Sequence, residues 1–172
     1  MRVILTEEQI SAGIDELAGK IAHEYRGRPL TVLGVLTGSL IFLSDLIRRL
    51  NVPLQVGLLQ ASSYRGQTTT PGRLTLGAVT MPEIAGRDVL LLDDIFDTGK
   101  TLSGLLEALV ESRPASVRSA VLLWKEGRQQ VDITPDYHCF RIPDVFVVGY
   151  GLDYNDDYRH LPFVAALEVG ES

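Results

Sequence analysis

The sequence predicts an α/β fold with a mostly parallel sheet flanked by helices. Apolar strand-like runs alternate with segments of helical spacing, and hairpin-like alternation does not run throughout the chain. The central run, residues 89–92, is apolar at every position, which is typical of a strand covered on both faces. Leucines at positions 102, 105, 106 and 109 then follow helical spacing. The two patterns together predict a strand, a loop and a helix of a parallel sheet.

Composition limits the classes of protein that need to be considered. A chain of 172 residues fits a single domain, 1–172, with one core. We expect no membrane association, because no run of about 18 apolar residues and no signal peptide is found. The single cysteine, Cys139, cannot form an internal disulfide, which favours the cytoplasm. A net charge of −6 argues against a broad nucleic-acid surface.

The first elements are predicted by capping and periodicity. Residues 6–9 form a capping box, and the apolar positions that follow predict an amphipathic helix from residue 7 to about 25. Residues 31–36 are predicted to form the first central strand, and a helix is expected over about 40–50. The turn between them, Thr37-Gly38-Ser39, either receives an anion on its N–H groups or is a simple capped turn.

Four more apolar runs are predicted to be strands. They cover residues 54–60, 74–79, 116–124 and 145–149, and the last is expected to be a central strand. The polar segment between the first two is longer than a median loop of about four to six residues, and by composition alone it is a surface loop. Residues 150–159 are acidic and rich in tyrosine, and residues 161–169 are predicted to return as a short strand.

The loop after the central strand carries the main functional signal. Two carboxylates, Asp93 and Asp94, follow the apolar run, and a third heads the sequence Asp97, Thr98, Gly99, Lys100, Thr101. Free N–H groups at a strand-to-helix junction favour an anion, and a glycine lets phosphate approach the backbone. The acids suit ligand hydroxyls or a divalent cation. The alternative is an acidic turn in which Asp97 or Thr98 caps the next helix.

A P-loop is excluded by spacing, although Gly99-Lys100-Thr101 matches its last three positions. A P-loop would need glycine where this chain has Asp94, and a carboxylate there would repel the phosphates that the loop wraps.

Four ordered blocks resemble the phosphoribosyltransferase family. The first is the loop just described, an apolar strand followed by two acids, two apolar residues and Asp-Thr-Gly-Lys-Thr. The others are residues 33–42, 122–125 and 142–155, which are similar to the 6-oxopurine branch of that family. The resemblance spans about residues 30–165.

The resemblance implies a five-stranded core with a small hood formed largely from about residues 140–172. It also implies Mg²⁺-dependent transfer of the 5-phosphoribosyl group from phosphoribosyl pyrophosphate to N9 of hypoxanthine or guanine. The family further suggests a homodimer or homotetramer, small-molecule substrates and no nucleic-acid or membrane partner.

Site roles follow from the same resemblance. Asp97, Thr98, Gly99, Lys100 and Thr101 would surround the 5-phosphate. Asp93 and Asp94 would face the ribose hydroxyls, directly or through Mg²⁺, and Asp153 would be a ligand of a second ion. Thr37, Gly38 and Arg159 would contact pyrophosphate. Ser63 and Tyr64 would belong to a lid that closes over the site.

For the purine, the resemblance implies that Asp97 takes the N7 proton and Lys125 donates to O6. Phe146 would stack on the base and the Val147 main chain would bind its edge, although periodicity alone makes these two residues core strand.

Thr37 departs from the family pattern, since many members carry Lys or Arg at this position. The departure makes pyrophosphate more dependent on Mg²⁺ and Arg159. In the family this turn often contains a non-proline cis peptide, which would lie at Thr37–Gly38. A second reading remains open, in which the chain is a regulator that keeps the pocket and binds RNA.

Overall fold

Twelve elements are present in the computed structural model, which describes residues 1–63 and 74–168, and all of their side chains except those of residues 61–63, 74–76 and 78. In chain order they are β1 (Arg2–Leu5), α1 (Glu7–Glu24), β2 (Leu30–Leu36), α2 (Leu40–Ile47), β3 (Leu54–Ser63), β4 (Leu74–Thr80), β5 (Asp88–Phe96), α3 (Lys100–Val110), β6 (Ser116–Lys125), β7 (Tyr137–Ile142), β8 (Val147–Val148) and β9 (Val164–Ala166). No helix within the described ranges has the length and apolar character needed to cross a membrane.

The main sheet confirms the predicted fold class. Its strands lie in the order β4-β3-β2-β5-β6-β7. Strands β3, β2, β5, β6 and β7 are parallel, whereas β4 is antiparallel to β3. The sheet therefore has the five parallel strands that the resemblance implied and a sixth, antiparallel strand at one edge. Strand β7 was not predicted, because its mixed polar and apolar residues give little periodic signal.

The prediction that residues 145–149 form a central strand is wrong. Only Val147 and Val148 are in a strand, and they pair with β9 in a separate sheet of order β1-β9-β8. An apolar run predicts burial but does not identify the sheet to which the strand belongs. Strand β1, near the start of the chain, pairs antiparallel with β9 through Arg2 and Ala166. The small sheet therefore combines residues from both ends of the described chain.

The helices pack on both faces of the main sheet. The Thr6 hydroxyl accepts from the Gln9 N–H while the Gln9 side chain accepts from the Thr6 N–H, which confirms the capping box. Helix α2 ends at Ile47, three residues before the predicted end, where the Arg49 N–H turns back to the Leu46 carbonyl.

Strand β5 is buried on both faces, as its apolar run predicted. Val89 and Leu91 join the core that packs against α3, whereas Leu90 and Leu92 join the core that packs against α1 and α2. All four side chains are fully buried. This double coverage holds the end of β5 rigidly at the middle of the sheet.

The surroundings of two glycines in α1 predict opposite effects on stability when each is replaced by alanine. Gly19 is exposed with open space around it, so Gly19→Ala should raise the free energy of unfolding by about 0.5–1 kcal/mol through helix propensity. A methyl at Gly13 would lie 2.3 Å from Phe140 Cζ, so Gly13→Ala should lower that free energy by about 1–3 kcal/mol through overpacking. Urea denaturation of both variants measures the difference, and equal effects would contradict this packing of α1 on β7.

Candidate active site

The candidate site lies at the carboxyl ends of β2 and β5. A cavity of about 350 Å³ opens there. The residues that line it come from the two strand ends and the loop after β5: Val35, Leu36, Gly38, Asp93, Asp94, Ile95, Phe96, Asp97, Thr98, Gly99, Thr101 and Leu102. Open parallel sheets bind ligands at this edge, where neighbouring loops meet.

Asp93 and Asp94 lie within β5, which corrects their predicted place in the loop after it. The strand continues to Phe96 because β6 keeps pairing with it as far as Trp124. The Asp94 N–H donates to Asp93 Oδ1 at 3.0 Å, and the Ile95 N–H donates to Asp94 Oδ1 at 2.7 Å. The two carboxyl groups therefore have fixed positions at the mouth of the cavity.

Burial perturbs both of these carboxyl groups. Burial and the neighbouring Asp94 charge raise the pKa of Asp93 well above its ordinary value. Burial also raises the pKa of Asp94, against the opposing effects of its hydrogen bonds and of the Arg159 charge. Because the pair gains when its charge is compensated, the site suits ligand hydroxyls or a divalent cation.

The loop after β5 leaves the start of α3 open. The residue before the helix is Gly99, with φ of +83°, which has no side chain to cap the helix. The Thr98 hydroxyl accepts from the Lys100 N–H at 3.4 Å. The alternative of an acidic capping turn placed Asp97 or Thr98 at the N-cap, whereas the structure places Gly99 there. A methyl at Gly99 would lie 2.4 Å from Val131 Cγ2, so the position also has no room for a side chain. The free N–H groups at this end favour an anion.

Asp97 sits between two cations. Lys125 Nζ lies 3.3 Å from Asp97 Oδ2, and Arg128 Nε lies 3.0 Å from Asp97 Oδ1. Asp144 Oδ1 lies 4.0 Å from Lys125 Nζ and 3.7 Å from Arg128 Nε. Lys125 is only 8% exposed, which is unusual for lysine and requires such partners. These four residues form an alternating charge cluster beside the cavity.

The turn at residues 37–39 contacts the acids. The non-proline cis peptide lies at Leu36–Thr37, one position before the expected Thr37–Gly38 bond. A methyl at Gly38 would lie 1.7 Å from Asp94 Oδ2, so only glycine leaves room for this carboxylate. The buried Ser39 hydroxyl donates to the Val35 carbonyl at 2.6 Å, which ties the turn to the end of β2.

Asp153 and Arg159 belong to a loop of two tight turns. Arg159 Nη2 lies 2.8 Å from Asp153 Oδ1, and Arg159 Nη1 donates to the Gly151 carbonyl at 2.8 Å. Asp153 Oδ2 accepts from the Asp156 N–H at 2.9 Å. The Arg159 charge acts on Asp94, so the loop and the cavity are electrostatically connected.

Phe146, Val147 and Lys100 are not among the described residues that line the cavity. Phe146 is 43% exposed and makes an edge-to-face contact with Tyr154, with ring centroids 5.5 Å apart. Val147 is buried in β8, and neither residue belongs to the cavity lining among the described residues. Lys100 is exposed on the first turn of α3. The backbone of Ser63 ends β3, and Tyr64 lies outside the described residues.

Comparison with known proteins identifies the family. A family model described as a phosphoribosyl transferase domain matches residues 3–155. The chain belongs to the phosphoribosyltransferase family. The hypoxanthine-guanine phosphoribosyltransferases of Staphylococcus aureus and Streptococcus pneumoniae are 40% and 36% identical to it, over 96% and 97% of this chain and 93% of each relative. The protein is therefore a transferase.

Solved structures agree with this assignment. A crystal structure of a hypoxanthine-guanine phosphoribosyltransferase from Bacillus anthracis, with a HEPES molecule in its active site, matches with a TM-score of 0.91 and 37% identity. The match covers 98% of this phosphoribosyltransferase and 99% of the other chain. The fold is thus that of the family.

Two members of the charge cluster were missed from the sequence of this phosphoribosyltransferase. Arg128 and Asp144 lie in segments without periodic pattern. Arg128 contacts Asp97, and Asp144 contacts Arg128, because the ends of β5 and β6 and the chain after β7 come together. Their charges alone gave no signal, since most Arg and Asp side chains face solvent.

The raised pKa of Asp93 predicts a pH effect on stability. The folded state holds this proton to a higher pH than the unfolded chain, so the free energy of unfolding falls as pH rises above about 4. Asp93→Asn removes that contribution and keeps the oxygen that accepts from the Asp94 N–H. The difference in the free energy of unfolding, variant minus wild type, should therefore be more positive at pH 7.5 than at pH 4.5.

Urea denaturation at the two pH values, without added metal, measures this difference. The exposed Asp132 provides a matched control, because Asp132→Asn makes the same chemical change at a residue that does not line the cavity. If Asp93→Asn shifted stability equally at both pH values, burial of Asp93 would not be the source of the effect.

Proposed function

We propose that this protein is a purine-salvage enzyme that transfers the 5-phosphoribosyl group from phosphoribosyl pyrophosphate to N9 of hypoxanthine or guanine. The products would be inosine or guanosine monophosphate and pyrophosphate. The observation that carries the proposal is the contact between Asp97 and the buried Lys125 beside an anion-binding helix start. Under this proposal the acceptor of the base proton and the O6 donor would lie next to the loop that holds the phosphate. The relatives that carry the purine names are similar over nearly the whole chain.

The phosphate end of the substrate fits the loop after β5. The N–H groups at the start of α3 would bind the 5-phosphate, with the hydroxyls of Thr98 and Thr101 as further donors. Lys100 is exposed, so its charge would act from a distance. Asp93 and Asp94 would accept from the ribose hydroxyls. Their negative charge would also favour the positive charge that develops on the ribose as its bond to pyrophosphate breaks.

The donor set around the cavity fits Mg²⁺. This ion is usually bound by one or two carboxylates together with substrate phosphates, so a dedicated cluster of protein ligands is not required. Asp153 would hold one ion, and Asp93 and Asp94 would hold another. The supporting observation is that burial raises the pKa of Asp93, because a bound cation would compensate that buried charge. When bound, Mg²⁺ would neutralise charge on the departing pyrophosphate. Arg159 would add charge-assisted hydrogen bonds to the same group.

Thr37 and Gly38 would contact pyrophosphate through the backbone. Because Thr37 brings no positive charge, Arg159 supplies most of the protein's own charge compensation at this end. The proposal therefore assigns Arg159 a larger share of pyrophosphate binding than it would have in a relative with a basic residue at this turn.

The purine end of the substrate fits the charge cluster. Asp97 would accept the N7 proton, while Lys125 would turn from Asp97 to donate to O6 of the base. Arg128 keeps its contact with the other oxygen of Asp97 as Lys125 leaves. Adenine carries an amino group at C6 and cannot accept from Lys125, so it would leave a buried ammonium unpaired. Phe146 would stack on the base and the Val147 main chain would bind its edge.

A regulator that binds RNA is the second candidate function. A sensor of phosphoribosyl pyrophosphate would need the phosphate cradle and the paired acids, and it would not need Asp97, Lys125, Asp153 and Arg159 together. The net charge of −6 also disfavours RNA. We also propose a cytoplasmic location, which the single cysteine favours, and a homodimer or homotetramer, which the family resemblance suggests.

A purine panel tests the proposed function. Purified protein with phosphoribosyl pyrophosphate and Mg²⁺ should convert hypoxanthine or guanine to the nucleotide, with adenine turned over at least 100-fold more slowly because one buried charge is left unpaired. Product formation is measured by chromatography. Salt-sensitive RNA binding without turnover of any purine would favour the regulator.

Lys125→Ala tests the purine assignment within the same panel. The variant should weaken purine binding and narrow the preference over adenine, because the O6 donor is gone. Arg128 remains to hold Asp97, so phosphoribosyl pyrophosphate binding should change little. A variant that lost thermal stability yet kept the wild-type purine preference would make Lys125 a structural residue only.

Asp97→Asn tests the proton acceptor. The amide preserves the shape of the side chain but cannot take the N7 proton, so the rate of nucleotide formation should fall by about 10² or more. Calorimetric binding of phosphoribosyl pyrophosphate should stay within a few-fold of the wild type. Unchanged turnover would remove Asp97 from this role.

A further inference from the structure

Tyr150 occupies an unusual place at the tip of a tight turn. Gly149 and Leu152 pair through two backbone hydrogen bonds of 2.9 and 3.1 Å, which leaves only Tyr150 and Gly151 in the turn. Both residues have positive φ, +52° for Tyr150 and +98° for Gly151, as in a type I′ turn. A bulky aromatic residue seldom adopts this conformation, so other contacts must hold it there.

The contact that holds Tyr150 is a hydrogen bond to helix α2. The Tyr150 ring is buried, with 6% of the residue exposed, and its hydroxyl donates to Asp45 Oδ2. Asp45 is itself fixed, because Arg49 lies 3.8 Å from its other carboxylate oxygen and donates to its carbonyl at 2.9 Å. Arg49 also reaches Asp15 of α1 at 2.6 Å, so Asp45 is anchored to two packed helices.

The residue after Tyr150 contacts the turn at residues 37–39. A methyl at Gly151 would lie 2.2 Å from the Gly38 carbonyl oxygen, so the two backbones are in direct contact. The Gly151 carbonyl accepts from Arg159, and the Gly151 N–H donates to the Arg159 carbonyl at 3.0 Å. The position of Gly151 therefore sets the distance between Gly38 and Arg159.

We propose that Tyr150 is a positioning residue for the pyrophosphate-bearing substrate, and that it acts through its hydrogen bond to Asp45. This bond ties the turn to α2, and the tied turn places Gly151 against Gly38 and Arg159 beside the paired acids. The inference rests on the proposed function. Only the pyrophosphate-bearing substrate should be affected. Lys125 and Asp97 lie outside this turn, so we expect the affinity for the purine to stay unchanged.

Tyr150→Phe removes the hydroxyl and keeps the buried ring. In steady-state assays with Mg²⁺ and saturating hypoxanthine, KM for phosphoribosyl pyrophosphate should rise about fivefold to tenfold, as expected for one lost hydrogen bond. KM for hypoxanthine should stay within about twofold of the wild type. Tyr137→Phe is the matched control, since the Tyr137 hydroxyl donates to Glu24 on helix α1, away from the cavity, and its loss should change neither KM.

Asp45 variants test the same contact from the other side. Asp45→Asn keeps an acceptor oxygen and should stay close to the wild type, whereas Asp45→Ala should raise KM for phosphoribosyl pyrophosphate about as much as Tyr150→Phe. Combining Tyr150→Phe with Asp45→Ala should raise this KM no further than either single change, because both remove the same interaction. If Tyr150→Phe does not fold, the Asp45 pair and thermal melting curves still decide the question.

Three results would overturn the inference: an unchanged KM for phosphoribosyl pyrophosphate in Tyr150→Phe, an equal rise in both KM values, or a loss of thermal stability alone. Absence of turnover in both the wild type and Tyr137→Phe would instead reject the proposed function. In that case calorimetric titration of phosphoribosyl pyrophosphate with Mg²⁺ into the wild type and Tyr150→Phe decides the inference, since equal affinities overturn it and weaker binding by the variant supports it.

Discussion

Two adjacent carboxyl groups, Asp93 and Asp94, are buried at the end of the central strand β5, and the rest of the site is arranged around them. Burying charge is costly unless it is compensated, and two like charges side by side increase that cost. Gly38 leaves the space that Asp94 occupies, and the Arg159 charge opposes the shift in the pKa of Asp94. The protein keeps this pair because β5 is held by strands on both sides and by a core on both faces.

The charges around the cavity are divided between two regions. Near β5 the acids Asp93 and Asp94 are incompletely compensated, which suits ribose hydroxyls and a divalent cation. In the loop after β5, Asp97 has a separate cation on each carboxylate oxygen. Under the proposed function, a purine would take the place of Lys125 while Arg128 remains. This division fits a reaction in which positive charge develops on the sugar while the base loses a proton elsewhere.

The loop that carries Asp153 and Arg159 depends on backbone geometry as much as on charge. Two turns, at Tyr150-Gly151 and Asn155-Asp156, have positive φ at both central residues. A hydrogen bond from Arg159 to the Gly151 carbonyl and an ion pair between Arg159 and Asp153 connect the two turns. The Tyr150 hydroxyl then connects this loop to the helices on one face of the sheet, so the site draws on packing well outside the cavity.

The sequence alone determined the features of the fold and the site that depend on residues adjacent in the chain. Capping at Thr6 and Gln9, the doubly buried strand at 89–92 and the phosphate loop after it are local patterns, and they were enough for the fold class and the family. Only the tertiary structure decided that Val147 and Val148 pair with β9 and that β7 joins the main sheet. It also decided that Arg128 contacts Asp97 and that Asp144 contacts Arg128. These outcomes depend on contacts between residues distant in sequence, and apolar or charged character alone does not specify its partner. The cis bond at Leu36–Thr37 likewise lay one position away from the family expectation.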